Sequence, residues 1–238
     1  MPLQSVLRRQ GKPMIRPQIL DLFCGAGGAA MGYHRAGFDV VGVDVQPQPH
    51  YPFEFHQADA MTYPLGGFDA IHASPPCQLY SVANNIHQRS DHPDLVPATR
   101  ERLNAAGVPW VMENVPGAPM LNYIVLCGLT LGCGVKRHRL FEYSGFWMWG
   151  PPPCPKGHPG DWLLVFGHTV LTRGKVAGKA KGGGNVIRRE HVGTDRGREA
   201  MGIDWMTRDE LSQAIPPAYT EHIGAALREH LEAADAAA

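Results

Sequence analysis

Ile19-Leu20-Asp21-Leu22-Phe23-Cys24-Gly25-Ala26-Gly27-Gly28 carries the chain from an apolar run straight into a glycine-rich turn. Ile19 to Phe23 reads as a short buried strand and Gly25 to Gly28 as a tight turn. Ala29 to Ala36 then reads as a helix that stops at Gly37. The pattern recurs downstream. Val40 to Val43 predicts a second strand ending in Asp44, and Phe53 to Gln57 a third ending before Asp59. Phe68 to Ala73 predicts a central strand, and a helix over Ala98 to Ala106 leads to a buried strand, Pro109 to Met112, ending in Glu113. Strands alternating with helices imply an α/β fold, a doubly wound and mostly parallel sheet. In such sheets ligands bind beyond the carboxyl ends of the strands, which gathers Asp21, Asp44, Asp59, Cys77 and Glu113 at one edge.

Ser74-Pro75-Pro76-Cys77-Gln78 follows the central strand, and its prolines stiffen the turn that presents the cysteine. A thiol held in this way is a candidate nucleophile. The glycine turn leaves room for a cofactor to approach the backbone, and Asp44 is positioned to accept hydrogen bonds from ribose hydroxyls. Leu79 to Thr99 has no clean period and reads as a long loop placed to close over the site.

The order of these marks is informative: glycine turn, two strand-end acids, Pro76-Cys77, Glu113-Asn114-Val115, Arg137-His138-Arg139, and Gln213-Ala214-Ile215-Pro216-Pro217. Together they resemble the cytosine carbon-5 DNA methyltransferases, over residues 18 to 143 and 198 to 224. The resemblance implies a Rossmann-like domain dependent on S-adenosyl-L-methionine that methylates a cytosine flipped out of double-stranded DNA. It implies Cys77 as the nucleophile and Glu113 as the acid at the base. Arg137 and Arg139 would contact the base or hold the Cys77 loop, lowering the thiol pKa. The implied cofactor site comprises Asp21, Phe23, Cys24, Gly25, Ala26, Gly27, Gly28, Asp44, Val45, Asp59, Ala60, Pro75 and Gln213. Within it Phe23 would pack on the adenine face and Asp59 would take the adenine amino group. Gln78, Ser81, Asn84 and Arg89 would meet the nucleic acid. Two departures stand out: Val45 replaces the aromatic that often follows the acid, and Ser212-Gln213-Ala214-Ile215 replaces Gly-Asn-Ala-Val. An RNA cytosine-5 methyltransferase and a non-catalytic nucleic-acid-binding relative are the alternative readings.

Composition adds bounds. The chain's 238 residues, 44% hydrophobic and 18% charged, suit one main folded domain and not a disordered chain. The expected layout is a mobile tail at 1–14, a catalytic domain at 15–144, a small recognition region at 145–197 and a C-terminal segment at 198–238 that packs back on the catalytic domain. The apolar runs are too short for a membrane span. Five dispersed cysteines fit a reducing compartment, so a monomeric cytoplasmic protein of a bacterium or a phage-infected cell is expected. Net charge is zero, but Arg173 to Arg198 carries eight basic side chains against two acidic ones. Lys175, Lys179, Arg188 and Arg189 within it are candidate phosphate contacts. Cys127, Cys133, Cys154 and His158 fit no familiar zinc spacing, and no metal is expected.

Overall fold

A computed structural model describes residues 16–80, 93–155, 158, 160–166, 169–172, 175–179 and 185–237, with only the backbone of 166, 175–179 and 185–188. The tail at 1–14, and Ser81, Asn84 and Arg89 with most of the predicted 79–99 loop, lie outside the described residues. No described helix is long and apolar enough to cross a membrane.

The glycine-turn unit folds as its sequence dictates. Strand β1 (Gln18–Leu22) buries its last four residues, and helix α1 (Gly28–Arg35) follows the turn at once. Strands β2 (Asp39–Asp44), β3 (Glu54–Gln57), β4 (Ala70–Ala73) and β5 (Trp110–Asn114) complete a parallel set, with α2 (Val96–Ala105) leading into β5. Helix α2 starts two residues earlier than predicted because Pro97 sits in its first turn, where a missing N–H costs nothing. The seven-stranded sheet has the order β3-β2-β1-β4-β5-β7-β6, adding β6 (Tyr123–Cys127) and β7 (His138–Ser144). Strand order reverses direction at β1 and β4, the switch point where open parallel sheets bind ligands.

Strand β7 runs antiparallel to both neighbours, pairing Glu113 with Phe141 and Cys127 with His138. The sequence reading foresaw neither β6 nor β7, because neither stands in the strand–helix alternation that signals a parallel sheet. Residues 145–197, read as irregular, also hold two hairpins: β8 (Leu163–Phe166) with β9 (Thr169–Thr172), and β10 (Lys175–Lys179) with β11 (Asn185–Arg188). Helix α3 (Thr194–Met201) follows them, then α4 (Arg208–Gln213), opened by a Thr207–Glu210 capping box.

The last helix, α5 (Pro217–Ala237), lies against α1. Close approach explains Gly32: a Cβ there would sit 2.1 Å from Thr220 Oγ1, whose hydroxyl donates to the Ala29 carbonyl at 2.8 Å. Ile19, Tyr33, Phe38, Phe141, Tyr219 and Ile223 form the core between this helix pair and one sheet face. Leu20, Leu22, Ile71, Leu103, Trp110 and Met112 fill the other face beneath α2. Burying each large apolar side chain contributes roughly 1.5–3 kcal/mol, so the two layers hold the sheet edge above them rigid.

Candidate active site

A cavity of about 520 Å³ opens at the carboxyl ends of β1, β2, β4 and β5, within the size range of small-molecule sites. Phe23, Cys24, Gly25, Ala26, Gly28, Asp44 and Val45 line one side; Pro75, Cys77, Gln78 and Glu113 line the other, with Gln213 on α4 closing it. The fold thus brings most of the predicted cofactor residues to one space with Cys77, Gln78 and Glu113.

Local backbone chemistry fixes the cofactor side. Phe23 has φ 57°, a left-handed conformation rare for a bulky residue and typical of functional turns. Gly25 has φ 49°, and a Cβ there would meet nothing within 4 Å, so its backbone faces open space. Gly28 cannot be larger, because a Cβ would press within 2.4 Å of the Ile215 carbonyl. Asp44 accepts the Gly25 N–H on Oδ2 at 3.0 Å and the Gln46 N–H on Oδ1 at 2.9 Å. Each carboxylate oxygen has two lone pairs, so one on each oxygen can still accept from a ligand hydroxyl. An aromatic ring, an open glycine backbone and an anchored carboxylate suit a nucleoside.

Asp21, Gly27, Asp59 and Ala60 are placed off this wall. Asp21 is fully buried and neither of its oxygens has a hydrogen-bond partner among the described residues. Burial, and next the charge of Asp44, push its pKa well above the ordinary value, so it sits beneath the site as a buried acid. Gly27 turns the chain with φ 85° and faces Pro52 and Tyr51. Ala60 packs in the core. Asp59 is exposed and its Oδ1 accepts the Met61 N–H at 2.8 Å. The neighbouring Ala58 N–H donates to the Asp44 carbonyl at 3.0 Å, which carries Asp59 alongside the second-strand acid. Burial raises the Cys24 thiol far above its usual range, so this residue packs and does not react.

The reactive side is braced from below. Asn114 donates from Nδ2 to the Pro75 carbonyl at 3.0 Å and accepts the Val115 N–H at 2.9 Å, tying the cysteine turn to β5. Buried His72 bridges Tyr33 Oη and Ser74 Oγ, each at 2.9 Å, and burial lowers its pKa to about 3, keeping it neutral. Neither role was legible in sequence, since the partners of Asn114 and His72 lie on other elements. Glu210 also lines the cavity and contacts His50 Nδ1 at 2.9 Å.

The arginines differ from expectation. Arg139 Nε lies 2.8 Å from Glu113 Oε1, so this guanidinium holds the acid. Buried Arg137 donates to the carbonyls of Val165 and Ser212, each at 2.8 Å, and so fastens β8 and the end of α4 to the sheet. The predicted drop in the Cys77 pKa is also corrected. Burial, then Glu113, raise the thiol, and the opposing pull of Arg139 and Arg137 does not overcome them. Glu113 is raised too, by burial, against the same two arginines.

Residues 17–119, which carry the glycine turn, Cys77 and Glu113, match the family model described as C-5 cytosine-specific DNA methylase. The type II methyltransferase M.AplI of Arthrospira platensis is 28% identical to the chain over 162 residues, 55% of this chain and 47% of that protein. The chain spans about half the length of the curated relatives it matches. Among solved structures, a prophage-encoded DNA modification methyltransferase of E. coli superposes with a TM-score of 0.58 at 14% identity. That match covers 91% of this chain and 99% of that one. Dnmt2 of S. pombe gives a TM-score of 0.59 at 13% identity over the same shares. These likenesses show that the fold shared with those two structures extends beyond the matched segment.

Proposed function

We propose that the protein is a DNA (cytosine-5-)-methyltransferase that uses S-adenosyl-L-methionine. The observation that carries this reading is a single cavity with Cys77 and Glu113 on one wall and the Phe23–Gly28 turn with Asp44 on the other. In the proposed site Asp44 holds the ribose hydroxyls, Phe23 the adenine face and Gln213 the amino-acid end of the cofactor, with the adenine amino group at Asp59. When bound, that cofactor supplies an electrophilic methyl group on a sulfonium.

Cytosine carbon 5 is a poor nucleophile until addition at carbon 6 breaks the ring's conjugation and gives carbon 5 enamine character. Cys77 Sγ supplies that addition as a thiolate, forming a carbon–sulfur bond. Glu113, whose pKa burial raises, donates a proton to ring nitrogen 3 as negative charge develops there. Carbon 5 then attacks the methyl group that the bound cofactor would supply, its hydrogen leaves as a proton to solvent, the carbon–sulfur bond breaks to return the Cys77 thiolate, and ring nitrogen 3 returns its proton to the Glu113 carboxylate. A base reaches this cavity only when flipped from the stack. Gln78, at the cavity edge, faces the base, with Ser81, Asn84 and Arg89 from the following segment. Lys175, Lys179, Arg188 and Arg189 of the 145–197 region supply phosphate contacts.

Expression in a host without cytosine methylation, followed by sequencing of its DNA and RNA for 5-methylcytosine, tests the substrate. Methylated DNA is expected; methyl groups confined to RNA would replace the DNA reading with the RNA one. An adduct on DNA containing 5-fluorocytosine, present for the wild type and missing for Cys77→Ser, tests the covalent step.

A further inference from the structure

Cys127 and His138 are partners across the β6–β7 ladder, so their side chains share one face of that hairpin. Cys154 and His158, from the segment leading to β8, come onto the same face. The four donor atoms all lie within 4.8 Å of one another. His138 Nε2 and His158 Nε2 stand 3.2 Å apart, and the Cys154 thiol is in hydrogen-bond contact with Cys127. Cys133, the cysteine that sequence proximity suggested, is not in the group.

We propose that Cys127, His138, Cys154 and His158 form a tetrahedral zinc site that staples the segment leading to β8 onto the catalytic sheet. The chemistry fits in three respects. Zinc–nitrogen bonds of about 2.0–2.1 Å set tetrahedral nitrogen–nitrogen edges of about 3.3–3.4 Å, close to the observed imidazole pair. Two ring nitrogens facing each other can share only one proton, whereas a cation between them uses both lone pairs. Two thiolates and two neutral imidazoles bring a divalent ion to zero net charge, and Cys127 is buried while the other three are partly covered, as in a closed structural site.

The surroundings hold the ligands in place. The His158 N–H donates to the Pro155 carbonyl at 3.2 Å, and its φ of 49° turns the chain back toward the hairpin. Trp162 Nε1 donates to the His158 carbonyl at 2.9 Å, and Thr130 Oγ1 to the Cys127 carbonyl at 2.9 Å. His138 opens β7 between Arg137, which precedes the strand, and Arg139, which lies on it, so metal coordination at His138 would fix the start of the strand that carries Arg139.

Metal analysis of the full chain, followed by removal of metal and titration with Co²⁺, tests the proposal. One zinc per chain is expected, then one Co²⁺ with the strong visible absorption of a tetrahedral site and a thiolate charge-transfer band. Cys154→Ser should cut that band to about half and weaken Co²⁺ at least tenfold, and His158→Ala should weaken it similarly, while Cys133→Ser should match wild type. Circular dichroism establishes that each variant is folded, and Cys154→Ser serves because its residue lies on a partly covered segment, unlike buried Cys127. A chain without bound metal that takes up no Co²⁺, an unchanged Co²⁺ spectrum in folded Cys154→Ser, or a Cys127–Cys154 disulfide in protein kept under reductant would overturn it.

Discussion

Arg139 and Glu113 form a 2.8 Å ion pair across the β5–β7 ladder, diagonal neighbours because Glu113 pairs with Phe141 two residues along. The pair is nearly buried, with 16% and 8% side-chain exposure, yet Glu113 remains above its ordinary pKa because burial outweighs the arginine. The acid is thereby oriented and still able to carry a proton. Removing the guanidinium should raise Glu113 further. Arg139→Ala is expected to move the Glu113 limb of the pH–rate profile to higher pH and to lower kcat about tenfold or more. An unshifted limb would show that Arg139 does not set this acid.

Glu113→Gln keeps the side chain's shape and removes its proton. A general acid typically contributes 10²–10⁴-fold, so turnover should fall by about 10²-fold or more while cofactor binding persists. Because burial raises the Cys77 thiol, wild-type methylation should climb as pH rises toward the range in which that thiol ionises. A flat profile would mean that the thiol is activated by some other group.

Arg137 is expected to act through positioning. Arg137→Ala leaves the Val165 and Ser212 carbonyls without their donor, and each unsatisfied buried group costs roughly 1–3 kcal/mol. At about 2–4 °C per kcal/mol for a chain of this size, Tm should drop by about 4 °C or more. Loss of methylation with an unchanged Tm would instead place Arg137 on the substrate.

Calorimetry separates the two strand-end acids. Asp44→Asn and Asp59→Ala should each weaken S-adenosyl-L-methionine by about tenfold, the scale of one lost hydrogen bond to a buried partner. Unchanged affinity in Asp59→Ala would move the adenine amino group away from Asp59 and leave Asp44 as the anchor.

Two buried groups set opposite pH trends in stability. Asp21 has a raised folded pKa, so the unfolded chain loses its proton first, and this acid weakens the fold as pH rises above about 3.8. Asp21→Asn should therefore raise Tm more at pH 8 than at pH 4, by about 2 °C or more. His72 is held down near 3, so the unfolded chain takes up a proton first as pH falls below 6.5. His72→Gln should flatten that acid-side loss, and Tm measured between pH 7 and pH 4 checks both.

The basic segment makes a salt prediction. Arg198 is occupied by Asp195 and by the Met206 carbonyl, and Arg196 by Glu199. Lys175 and Arg188 are register partners in the β10–β11 ladder, which places two basic residues side by side along the backbone. Four phosphate contacts would give a slope of log affinity against log salt near −3.6, at about −0.9 per contact. Neutralising Lys175, Lys179, Arg188 and Arg189 together should flatten it, and a wild-type slope in that variant would move the contacts elsewhere.

The parallel half of the sheet, the glycine turn and the strand-end positions of Cys77 and Glu113 were legible in the sequence alone. Those features are local, since an apolar run, a glycine turn and a strand-end acid each reveal themselves within about ten residues. Only the tertiary structure decided what surrounds them. Asn114 reaches the Pro75 carbonyl across 39 positions, and Arg137 reaches Ser212 across 75. The Cys127–His138 pairing depends on the register of two strands with no local signature. Such contacts are set by how the sheet closes on its neighbours, and a burial that reverses the expected Cys77 shift is a property of the whole fold.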